Sequence, residues 1–62
     1  MEKQLIDLIE KGIRQIKKGT APKDTKAGYA LNKLKPINPY MYEDLMEKYK
    51  EALAEYKKNQ AK

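Results

Sequence analysis

The chain has no cysteine, no histidine, no tryptophan and no phenylalanine, and it lacks serine as well. Each absence removes a class of structure or chemistry. Without cysteine no disulfide can hold a small fold together, and such a composition fits a reducing compartment. With neither histidine nor cysteine, a zinc site would rest on carboxylates alone, so no metal or other cofactor is expected. Ser–His–Asp and Cys–His nucleophile systems cannot be assembled. The only aliphatic hydroxyls belong to Thr20 and Thr25, and neither has an obvious base. The stretch from Gly19 to Gly28 lacks the Gly-Lys-Ser/Thr ending of a phosphate loop and comes after no strand. An enzyme is therefore not expected. Long apolar runs are missing too: none approaches the roughly 18 residues of a membrane span. The acidic start, with Glu2, Asp7 and Glu10, does not resemble a secretory signal. The expectation is a soluble, cytoplasmic protein with no membrane association.

At 62 residues the chain makes one domain, 1–62. A domain of this size buries only about 60% of the surface its unfolded chain exposes. Below roughly 70–80 residues a lone core usually needs a disulfide, a metal, a partner chain or unusually good helix packing. The first two are excluded, which leaves packed helices and self-association.

Helical periodicity is present in three places. Over 2–18, Leu5, Ile6, Leu8, Ile9, Ile13 and Ile16 recur at 3.6-residue spacing and define a broad apolar arc. Gly12 falls inside that arc, where it costs roughly 1 kcal/mol against alanine, and its position suits a close helix approach. Asp7–Lys11 and Glu10–Arg14 are acid-before-base pairs at i,i+4, and Gly19 suits the residue just past the helix end. Residues 19–26 read as loop, with Asp24 or Thr25 able to cap the next helix. A short helix over 26–34 would turn Tyr29, Ala30, Leu31 and Leu34 inward and stop before Pro36, which disfavours helical backbone at Lys35.

Residues 39–59 give the third helix. Asn38 is a favoured N-cap and Pro39 suits the first helical position. Ile37 is placed to pack on Tyr42 as a hydrophobic staple. Tyr42, Leu45, Met46, Tyr49, Ala52, Leu53 and Tyr56 form a narrow stripe. Glu43, Glu47, Glu51 and Glu55 recur every four residues on the outward side and read as a solvated face. The tail 59–62 reads as frayed.

The resulting fold class is all-α: a small helical hairpin or a three-helix domain, with long helices over 2–18 and 39–59 joined by a basic connector. The arc of the first helix is wide enough to face two neighbours. A homodimer forming a four-helix bundle would use its second side.

The net charge of +5 is unevenly placed. Within 11–35, Lys11, Arg14, Lys17, Lys18, Lys23, Lys26, Lys33 and Lys35 stand against Asp24 alone. Both flanking segments are balanced or acidic. Lys11, Arg14 and Lys18 share one polar stripe of the first helix, Lys23 and Lys26 extend it through the loop, and Lys33 and Lys35 flank the short helix. Flexible cations on a solvent-facing track suit phosphate contacts, and Tyr29 and Tyr40 lie close enough in sequence to stack on a base or donate to a phosphate. DNA or RNA bound with little sequence preference is therefore the leading expectation, with Lys11, Arg14, Lys18, Lys23, Lys26, Lys33 and Lys35 as contacts. A single arginine is poor equipment for bidentate guanine readout. A helix opening with Glu43 and Asp44 is poorly signed for the major groove.

Two other expectations stand beside it. An acidic protein patch would also complement the basic block. Alternatively, the chain is an adaptor or inhibitor that binds a protein through Tyr42, Met46, Tyr49 and Tyr56, since tyrosine is enriched at interface hot spots and methionine adapts to irregular surfaces. Size, lysine richness and missing chemistry suit a small regulatory or accessory protein of the kind phages and other mobile elements encode.

Overall fold

The computed structural model describes residues 2–60. Among them are three α-helices: α1 over Glu2–Lys17, α2 over Ala27–Leu34 and α3 over Pro39–Gln60. No strand occurs among the described residues. A 3-10 helix, Pro22–Asp24, interrupts what the sequence suggests is plain loop. Pro22 opens it because a fixed φ and a missing N–H are harmless at a helix start, and Ala21 before it is extended (φ −61°, ψ 137°).

The helix ends obey local chemistry. Past α1, the Gly19 N–H donates to the Ile16 carbonyl (3.0 Å) and the Thr20 N–H to the Gln15 carbonyl (2.9 Å). That pair of bonds is a Schellman motif, and it requires the left-handed backbone that Gly19 adopts at φ 111°. At the start of α3, Asn38 Oδ1 accepts from the Met41 N–H (3.1 Å), the expected N-cap. Between these ends the structure departs from expectation at Lys35, which keeps helical backbone (φ −47°, ψ −52°) although proline comes next. The tight return into α3 accounts for it: the Ile37 and Asn38 N–H groups both converge on the Leu34 carbonyl at 2.9 Å. These bonds outweigh a steric preference of the residue before proline.

The core consists of Ile9, Ile13, Ile16, Ala27, Ala30, Leu31, Leu34, Leu45 and Ala52. Leu5, Ile6, Met41, Tyr42, Met46, Tyr49 and Tyr56 pack around it, half-buried. α1 packs against both α2 and α3. Its contact with α2 is close at Gly12, where an added methyl carbon would stand 2.7 Å from the Ala27 Cβ. α2 runs back along α3: Gly28, near its start, lies beside the Tyr49 hydroxyl, and Lys35, at its end, lies over the Tyr42 ring. At 22 residues α3 is about 33 Å long, close to the longest dimension of the molecule, 38 Å.

Several expectations need correction. Tyr29 does not turn inward; it is 60% exposed, because Ala27, Ala30, Leu31 and Leu34 already occupy the inward arc of α2. Ile37 is only half covered, 53% exposed, and the Lys35 ammonium lies over the Tyr42 ring. Leu8 sits on the rim of the α1 arc, 39% exposed. The i,i+4 pairs of α1 do not close; among the described residues the ion pair within 4 Å is Asp44–Lys48, at 3.9 Å on the surface of α3. Asn59 and Gln60 continue α3, while residues 61 and 62 of the tail lie outside the described residues. The wide arc of α1 is shared between α2 and α3 of the same chain, with Leu8 left at its rim.

Candidate nucleic-acid interface

All seven cations singled out in the sequence, Lys11, Arg14, Lys18, Lys23, Lys26, Lys33 and Lys35, are exposed. Among the described residues, none of them has a carboxylate within 4 Å. Their positions derive from the core. α1 buries Ile9, Gly12, Ile13 and Ile16, so Lys11, Arg14 and Lys18, at steps of three and four, fall on the opposite side. The Schellman turn then directs the chain into the 3-10 helix that carries Lys23. Thr25 fixes the next junction. Its hydroxyl donates to the Pro22 carbonyl (2.8 Å) and accepts a longer bond from the Ala27 N–H (3.4 Å). Neither expected cap serves: the N-cap position of α2 is Lys26, which makes no side-chain cap bond, and Thr25 instead braces the junction from one residue earlier.

Two sub-sites result. The first is an open cleft of about 260 Å³ between α1 and the connector, lined by Leu8, Lys11, Gly12, Gln15, Asp24, Thr25 and Lys26. It brings Lys11 and Lys26, distant in sequence, to one surface with a single acid between them. A shallower depression of about 380 Å³ continues along α1 past Gln4, Asp7 and Leu8, again sharing Lys11. The second sub-site is the outward side of α2. The Lys33 ammonium lies 5.2 Å from the centre of the Tyr29 ring, and Lys26 is one helical turn before Tyr29. An exposed cation–π contact of this kind is weak and readily exchanged for a ligand.

The structure sets Lys35 apart from this group. It lies toward α3, 5.6 Å from the centre of the Tyr42 ring. Lys23, on the 3-10 helix, lines neither cleft. Tyr40, the other candidate stacking residue, is 86% exposed in the first turn of α3.

The alternative stripe is arranged differently. Tyr42, Met46, Tyr49 and Tyr56 are each half-buried and packed against the core, and so form part of the intramolecular packing of α3. The exposed large apolar side chains are Leu8, Tyr29, Ile37 and Tyr40, of which the sequence stripe contained none. Tyr29 was concealed by its spacing, since it sits beside Ala30 in a short apolar run that reads as one inward patch. Leu8 was concealed because a broad arc does not reveal its own edge. Glu43, Glu47, Glu51 and Glu55 are all exposed, and no three carboxylates converge among the described residues. No helix among the described residues is long and apolar enough to cross a membrane.

Comparison with protein-family models, with characterised proteins and with solved structures finds no match to this chain.

Proposed function

We propose that the protein is a small, non-enzymatic nucleic-acid-binding module that contacts the phosphate backbone with little sequence preference. The observation that carries this reading is the group of unpaired cations, Lys11 and Lys26 at one cleft and Lys33 over an exposed tyrosine. Cations without carboxylate partners keep their full field for an outside polyanion. Lysine serves as a flexible point charge for phosphate, and one arginine leaves little capacity for reading base edges. The protein-partner reading receives less support, because the residues it relies on are engaged with the core. Because α1 packs on both α2 and α3 of the same chain, the module is proposed to act as a monomer in place of the homodimer expected from the sequence.

Binding measured as a function of salt tests this. Four to six phosphate contacts give a log–log slope of about −4 to −5 on duplex DNA. Replacing Lys11, Arg14 and Lys18 together by glutamine is expected to flatten that slope by up to about 3 while helicity is unchanged. Replacing Lys50, Lys57 and Lys58, which share α3 with five acids, is expected to do less. No binding at low salt, or equal loss in the two triple variants, overturns the proposal.

A further inference from the structure

We infer that the interface prefers single-stranded nucleic acid over duplex, with the Tyr29 ring as the platform on which an unpaired base stacks and Lys26 and Lys33 as phosphate contacts on either side. This rests on the nucleic-acid reading above and names the substrate class for the same surface.

The position of Tyr29 is the first reason. The four inward positions of α2 are filled by Ala27, Ala30, Leu31 and Leu34, so the ring has no place in the core and stands 60% exposed. An aromatic ring held on a short, well-anchored helix loses little freedom when a base covers it. In a duplex the base faces are already stacked on one another, and such a ring gains nothing; on a single strand every base offers a face, whatever its identity.

The arrangement of charge is the second reason. Lys26 and Lys33 are seven residues apart, about 10 Å along the helix axis, with Tyr29 between them. Lys33 already lies over the ring at 5.2 Å. A base arriving at the ring would bring its own phosphate within reach of that ammonium. From Lys26 the track continues into the cleft with Lys11, where Gln15 supplies hydrogen-bonding capacity and Leu8, 39% exposed, supplies an apolar wall. Alternating cations and apolar surface is the pattern of a groove that tracks a single strand.

The absence of duplex-reading equipment is the third reason. α2 has only eight residues, and the outer side of the first turns of α3 carries the exposed acids Glu43 and Asp44. Neither is suited to a groove lined by phosphates.

The test is fluorescence anisotropy with labelled oligothymidylate, oligouridylate and a blunt mixed-sequence duplex of equal length, at low salt. Both single strands are expected to bind about tenfold more tightly than the duplex. Tyr29→Ala is expected to weaken single-strand binding about tenfold and to leave duplex binding within about twofold, while Tyr29→Phe, which keeps the ring, retains the preference. Circular dichroism of each variant confirms the fold. Equal affinity for single strand and duplex, or an equal loss on both for Tyr29→Ala, overturns the preference but leaves the nucleic-acid reading standing. Absence of binding to all three overturns both. Binding of only one of the two single strands, with the Tyr29→Ala loss confined to it, supports the platform and shows that the site also senses the ribose 2′-hydroxyl or the thymine methyl group by which the two strands differ.

Discussion

Replacing Gly12 by alanine tests the packing of the fold by the sign of its effect. In an exposed helix interior this change stabilises by roughly 0.5–1 kcal/mol, because glycine has more backbone freedom to lose. Here the new methyl carbon would stand 2.7 Å from the Ala27 Cβ, and 3.4 Å from both the Cα and the N of Ala27. The obstacle is the Ala27 Cβ, which is fixed to the backbone and cannot swing aside, so α1 and α2 must separate. Overpacking of this kind costs about 1–3 kcal/mol, and the net expectation is destabilisation by roughly 0.5–2 kcal/mol. Gly28 is the internal comparison. A methyl carbon there meets the Tyr49 hydroxyl at 3.6 Å, ordinary contact, so Gly28→Ala is expected to stabilise by up to about 1 kcal/mol. In a domain of this size a change of about 1 kcal/mol moves the melting temperature by roughly 4–8 °C, which thermal unfolding monitored by circular dichroism resolves readily. Ala27→Gly in the Gly12→Ala background removes the clashing carbon. It should recover part of the loss, giving a coupling of at least about 0.5 kcal/mol. If Gly12→Ala stabilises as Gly28→Ala does, α1 and α2 are not in close contact and the packing described for them is wrong.

Three further outcomes are expected. Leu45→Ala, at a fully buried site, should cost roughly 2–4 kcal/mol in urea unfolding, whereas Leu53→Ala, half-buried, should cost visibly less; equal costs would contradict the orientation of α3. Asn38→Ala removes the oxygen that accepts from the Met41 N–H and should destabilise by about 1 kcal/mol, with Asn38→Asp close to neutral. Sedimentation at several concentrations should give a monomer mass throughout, and a dimer at micromolar protein would mean that α2 and α3 do not satisfy the apolar arc of α1.

The elements most legible in the sequence were those specified by short-range chemistry. Asn38 and Pro39 marked the start of α3, Gly19 marked the end of α1, and the spacing of Ile9, Ile13 and Ile16 marked its buried side, because a cap or a period involves neighbours along the chain. Features that depended on the third dimension were less legible. Gly12 announced a close approach but not its partner, since Ala27 is fifteen positions away. Tyr29 and Tyr42 look alike as aromatic members of apolar patterns, yet one is exposed and the other packs against the core. The difference arises from where α2 lies between α1 and α3. The cations of the candidate site were visible as a block, but their division was not. Lys26 joins Lys11 only because the Schellman turn and the 3-10 helix fold the connector back beside α1, and Lys35 leaves the group only because α2 ends against α3.

The unpaired state of these cations affects more than recognition. Charges of one sign crowded onto a small surface repel one another, and folding brings them closer than they are in the extended chain. Added salt screens that repulsion, with a Debye length of about 10 Å at 0.1 M, so over the range where screening dominates it should tighten the fold. The same salt weakens any phosphate contact the surface makes. Ionic strength should therefore act in opposite directions on the stability of the domain and on the binding proposed for it, and a bound polyanion would relieve the repulsion that the free fold must carry.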